Sequence, residues 1–105
     1  MPPPPTLPIE RALGHLGAKI SRARRRRRLS QADMAEQIGA SESTIRRLEK
    51  GESGIALQHL IGVFCALGEL GSFNALLDTP NDAIGLMLQD EQLPQRIRRR
   101  ASEKV

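Results

Sequence analysis

Ser43, Thr44, Arg46, Arg47 and Lys50 stand close together in the chain, and their side chains offer hydrogen-bond donors and positive charge. That is the chemistry of recognising anions and base edges, not of making bonds. Ser43 and Arg47 are four apart and would share one helix face. An arginine so placed can bond guanine O6 and N7 with both arms of its fork, whereas Thr44, Arg46 and Lys50 suit phosphate oxygens. Upstream, residues 24 to 28 are five successive arginines. Five helical residues in a row go round the whole cylinder, so they cannot all face solvent. Arg24 is the expected buried member; Arg25, Arg27 and Arg28 either approach a phosphate backbone or keep the domain soluble.

No constellation for catalysis accompanies them. Ser30, Ser41 and Thr44 are accounted for as helix caps or DNA contacts, and no glycine-rich loop for cradling phosphate occurs. His15 and His59 are lone histidines without ligand partners, which points to packing rather than a metal. The single Cys65 excludes an internal disulfide and a cysteine-based zinc site, and is expected to be a small core residue. The expectation is a non-enzyme with no metal and no cofactor.

Charge is partitioned along the chain. Residues 19 to 50 carry ten Lys or Arg against four acids, while residues 51 to 95 carry six acids and no Lys or Arg. Residues 96 to 105 are basic again, with five bases and one acid. A basic stretch coinciding with the outward residues above suits a phosphate backbone, and the acidic middle should face away from it. A chain of 105 residues with only Phe64 and Phe73 as aromatics makes one small domain with an aliphatic core plus tails. Such a domain would be marginal alone, and dimerisation would help it. The proline-rich start has no signal-peptide core and no apolar run reaches membrane-spanning length, so a cytoplasmic, bacterial protein is expected.

The elements that must position these residues read as helices throughout. Ser30 is an N-cap with Asp33 three later to answer it, so a helix should begin at Gln31 and bury Met34 and Ile38. Ala35 is small enough for a close crossing, and Gly39 can take the left-handed conformation that ends the helix. Ser41 then caps a second helix that buries Ile45 and Leu48 and stops at Gly51. Before this pair, a helix from residue 9 or 13 to residue 27 should turn Leu13, Leu16, Ile20, Ala23 and Arg24 inward, with Leu29 following. After it, residues 55 to 67 should form a helix with Leu57, Leu60, Ile61, Phe64 and Leu67 on one stripe, closed by Gly68. Ser72 is expected to cap a fifth helix carrying Phe73, Leu76 and Leu77. Thr79-Pro80-Asn81-Asp82 reads as one more helix start, followed by a narrow apolar face of Ala83, Ile84, Met87 and Leu88. The fold class is therefore all-α: a five-helix domain over residues 9 to 78, with a short amphipathic helix over 79 to 93. A proline-rich arm (1 to 8) and a basic tail (94 to 105) are expected to be disordered.

This order of small, glycine, apolar, cap and Leu-Glu-x-Gly positions resembles the repressor/Cro-type (Xre) helix-turn-helix family, over about residues 13 to 77. The resemblance implies that Arg24 pairs, buried, with Glu49 at the end of the recognition helix. It implies that Gln31 anchors its helix to a phosphate while its amide meets the recognition helix. The DNA-contacting set becomes Gln31, Ser41, Glu42, Ser43, Thr44, Arg46, Arg47 and Lys50. Glu42 departs from the neutral residue common in that place; it either accepts from a cytosine amino group or favours the helix dipole. Members bind as two-fold dimers on half-sites about one DNA turn apart. Leu67, Leu70, Phe73, Leu76 and Leu77 either pair across that axis or only complete the monomer's core.

A second, shorter stretch, residues 85 to 100, is similar to the tail of HipB-like antitoxins. That resemblance implies a HipA-like kinase toxin as partner, with autoregulation of the shared operon. Ile84, Met87 and Leu88 would then dock in a groove of the partner, and the basic tail on an acidic surface. The other reading is a stand-alone repressor of phage or metabolic type, with the last helix folded back and the tail adding nonspecific DNA affinity.

Overall fold

Two short helices in this protein start at serine caps and stop at glycines, which satisfy backbone groups that a helix leaves open. The computed structural model describes residues 6 to 78 and 82 to 88. Those residues form six helices, α1 (Leu7–Arg26), α2 (Gln31–Ile38), α3 (Glu42–Glu49), α4 (Leu57–Ala66), α5 (Leu70–Asn74) and α6 (Ala83–Leu88), and no strand. The chain divides into a first unit ending at Phe73 and a second beginning at Asn74.

Ser30 and Asp33 close a capping box: Ser30 Oγ accepts from the Asp33 amide at 2.9 Å, and Asp33 Oδ2 accepts from the Ser30 amide at 3.0 Å. Bonding from that amide, then from the Ser30 hydroxyl, holds the Asp33 carboxyl below the ordinary aspartate range. Gly39 ends α2 with φ 70°. Ser41 Oγ accepts from the Thr44 amide at 3.1 Å to start α3. Gly51, at φ 80°, ends it. α1 starts earlier than its apolar stripe suggests, at Leu7, because Pro8 falls in the first turn, where a missing N–H leaves no helical bond unmade.

Ile20, Met34, Ala35, Ile45, Leu48, Val63 and Leu67 form the core, with Leu16, Ala23, Leu29, Ile38, Ile55 and Leu60 packed around it. On α4 the buried stripe runs Leu60, Val63 and Leu67 rather than starting at Leu57, which is 64% exposed at the helix's first residue. With Val63 inward, Cys65 lies 200° further round and is exposed, not a core residue. Phe64 meets Phe73 edge to face, centroids 5.2 Å apart. Leu67 is thus buried in the monomer's own core, while Phe73 stays half-buried beside Phe64.

α5 also departs from expectation. It begins at Leu70, so Ser72 lies inside it and donates to Glu69 Oε2 at 2.8 Å instead of capping. Leu76 and Leu77 fall beyond its end, 63% and 80% exposed, with Leu77 at φ 64°. In the second unit, Asp82 caps α6: its carboxylate accepts from the Gly85 amide at 2.8 Å. Ile84, Leu86, Met87 and Leu88 are all exposed on α6. Thr79, Pro80 and Asn81, the arm's first five residues and everything after Leu88 lie outside the described residues. No helix among the described residues is long and apolar enough to cross a membrane.

α1 and the end of α3 approach each other closely through their backbones. A Cβ on Gly17 of α1 would lie 2.6 Å from the carbonyl oxygens of both Leu48 and Glu49, at the end of α3. A Cβ on Gly51 would lie 2.7 Å from Cα of Gly14. A Cβ on Gly14 itself would meet nothing within 4 Å. Two glycines three apart on one helix should thus respond oppositely. Gly17→Ala is expected to destabilise by about 1–3 kcal/mol through overpacking. Gly14→Ala is expected to stabilise by about 0.5–1 kcal/mol through helix propensity. Chemical denaturation of the two variants checks both signs.

Candidate nucleic-acid interface

Arg24 and Glu49 form a two-armed ion pair, with Nε 2.7 Å from Oε2 and Nη2 3.0 Å from Oε1. Their side chains are only 11% and 6% exposed. The third arm of the guanidinium, Nη1, donates to the Leu29 carbonyl at 2.8 Å, which holds the turn between α1 and α2. Gln31 Nε2 donates to Glu49 Oε1 at 3.0 Å, so the first residue of α2 is tied to the last of α3. Among the described residues no buried side-chain nitrogen or oxygen lacks a partner. Burial pushes the Glu49 carboxyl up, but bonds from Arg24 and Gln31, the Arg24 charge and a smaller Ser21 contribution outweigh it. The net effect holds Glu49 below the ordinary glutamate range. The bond to Glu49 raises Arg24, against the opposing effect of burial.

With that end of α3 anchored, the helix has one inward and one outward face. Ile45 and Leu48 are buried, and Glu42, Ser43, Arg46, Arg47 and Lys50 are exposed. Thr44 is half-buried, its Oγ1 2.9 Å from Ser41 Oγ, so Ser41 and Thr44 are paired at the helix start. Arg47 Nε lies 3.4 Å from Glu52 Oε1, both side chains about half exposed. The outward face of α3 thus offers a hydroxyl, three cations and one carboxylate, with no wall or cleft implied by any of them.

The arginine run divides by role. Arg27 donates from Nε to the Leu67 carbonyl at 2.9 Å and from Nη1 to the Ala23 carbonyl at 2.8 Å. It thus binds the end of α4 to the end of α1, although the residue stays exposed. Arg25 donates to the Ser21 carbonyl at 3.3 Å on its own helix. Arg26 and Arg28 are exposed. Residue types alone gave no sign of Arg27's task; its partner is a carbonyl forty positions away. Glu52 was likewise not singled out, although its place just past Gly51 could have suggested it.

A family profile described as a helix-turn-helix domain matches residues 15–68, just over half of the chain. The chain belongs to the helix-turn-helix domain family. Comparisons with curated proteins and with solved structures gave no match. The helix-turn-helix match takes in the Arg24–Glu49 pair, Gln31 and the whole of α2, α3 and α4, and stops before α5 and α6. Among the described residues, no group of three or more His, Cys, Asp or Glu could hold a metal ion.

Glu49's folded pKa is depressed, so its pairing stabilises the fold above the ordinary glutamate value of 4.5 and is lost as pH falls through and below it. Arg24→Met leaves that carboxylate buried without its cation. At neutral pH the variant is expected to lose about 3–5 kcal/mol. Its deficit against the wild type should shrink as pH falls through 4.5, because protonation removes the stranded charge. Denaturation midpoints measured from neutral to acid pH check both statements.

Proposed function

We propose that this helix-turn-helix protein is a cytoplasmic, sequence-specific transcriptional repressor that lays α3 in the major groove of duplex DNA. The observation that carries the reading is the exposed cationic face of α3, held at a set angle by the buried pair at its end. Ser43 and Arg47 take base edges, and Thr44, Arg46 and Lys50 take phosphates, with Gln31 anchoring α2 at its N-terminus. Ser41 contributes through the cap that orients the first turn. Glu42, in that first turn, either receives a cytosine amino group or complements the helix dipole.

One eight-residue helix reads few base pairs, so the DNA-bound form is a two-fold dimer spanning half-sites about one turn apart. Leu70, Phe73, Leu76 and Leu77 are the members of the expected apolar group still at least partly exposed. Arg47→Ala is expected to remove preference at one base pair per half-site, costing about 1–3 kcal/mol there. Lys50→Ala should weaken binding to all sequences and lower the salt slope by roughly one unit. Binding isotherms over a salt series, on selected and scrambled duplexes, separate the two. Wild-type behaviour from both variants would refute the contact assignment.

The finer proposal is that the repressor is the antitoxin of a HipA-like kinase toxin. Supporting it is the apolar surface of α6, where Ile84 and Met87 are 73% and 83% exposed. Co-expressed with a kinase encoded beside it, the protein should co-purify, and Ile84→Asp with Met87→Asp should abolish the complex while leaving DNA binding intact. A kinase that never co-purifies leaves the stand-alone repressor.

A further inference from the structure

Resting on the reading of α3 as the DNA-contacting helix, we infer that Glu52 is a positioning residue that sets base preference by holding Arg47. Two independent features place it there. The first is the backbone at the end of α3: the Glu52 amide donates to the Arg47 carbonyl at 3.1 Å and the Gly51 amide to the Leu48 carbonyl at 3.0 Å. With Gly51 at φ 80°, this is the closed turn that folds the sixth residue back over the first. In such turns an apolar pair usually joins those two positions; here they are Glu52 and Arg47. The turn is itself fixed, because Gly51 packs against the backbone of Gly14 on α1.

The second feature is which nitrogen the carboxylate takes. Glu52 Oε1 lies against Nε of Arg47, at 3.4 Å. A guanidinium has five N–H groups in a rigid fork, so a carboxylate at the Nε side leaves an Nη pair for O6 and N7 of a guanine. A free arginine reaches phosphates and several bases about equally well and loses much rotamer freedom when it commits to one. A carboxylate alongside removes part of that freedom in advance. It also disfavours bases that place an acceptor-poor edge before the fork, since the cation can then stay with Glu52.

The competing role for an acid beside a DNA surface is plain repulsion of phosphates, which would lower affinity for every sequence alike. The two roles separate in a selection from a randomised duplex library, using the full chain as wild type, Glu52→Gln, Arg47→Ala and the double variant. The wild type is expected to enrich a base at one position that Arg47→Ala no longer selects. Glu52→Gln should lower the preference at that same position by at least about threefold while leaving the other positions and the melting temperature unchanged. In the Arg47→Ala background, Glu52→Gln should change nothing there. If Glu52→Gln raises affinity for all duplexes and keeps every preference ratio, the inference is overturned and Glu52 only repels phosphate. A wild type that enriches no sequence overturns the DNA-reading function, and this inference with it.

Discussion

The buried Arg24–Glu49 pair is the constraint on which the first unit's geometry depends. Taking two charges out of water is expensive, and such a pair is weak evidence of net stability against an apolar replacement. Its value lies in direction. An apolar contact between α1 and α3 could slide by a residue, whereas a guanidinium with two arms on a carboxylate and a third on the Leu29 carbonyl cannot. Gln31 adds α2 to the same carboxylate. Three helices and one turn thereby share a single register mark.

α3 could not hold its place otherwise. It has eight residues, too few to form in isolation, and most of its outward side chains are charged. Its order comes from the buried Ile45 and Leu48, the Ser41 cap and the pair at its end. The glycine contacts belong to the same arrangement. Gly17 lets the α1 backbone lie against the Leu48 and Glu49 carbonyls, on the same helix pair that the two arms of Arg24 join to Glu49. Close backbone approach and buried charge are one structural solution.

Much of this was legible because it is local. The Ser30–Asp33 box, the Ser41 cap and the left-handed Gly39 and Gly51 are decided within a few residues, and propensity and capping rules reach that far. The pairing of Arg24 with Glu49 was legible only through family resemblance, since nothing in spacing pairs residues that far apart. The misses share a cause. Leu57 and Cys65 were expected inside and Val63 was left out of the stripe because α4 is apolar on several sides, so periodicity could not choose its inward face. Ser72 looked like a cap, but α5 is only five residues long and begins at Leu70, two residues after the left-handed Gly68. Gly14 and Gly17 left a trace, two glycines three apart inside an apolar stripe, yet only the neighbouring backbone gives that spacing a meaning.

Net charge gives equal weight to every arginine, and the fold does not. Of the basic residues between 19 and 50, Arg24 is neutralised in the core, and Arg27 is bound to carbonyls at two helix ends. Arg47 is shared with Glu52. A phosphate backbone would therefore meet fewer cations than the formal count suggests, and a salt slope should follow the accessible ones. Arg24, which contributes nothing to that slope, nevertheless determines whether the others are presented at all, because it fixes the helix that carries Arg46, Arg47 and Lys50. In a surface this small, positioning and attraction are carried by different members of one residue type, and burial is what assigns each arginine its role.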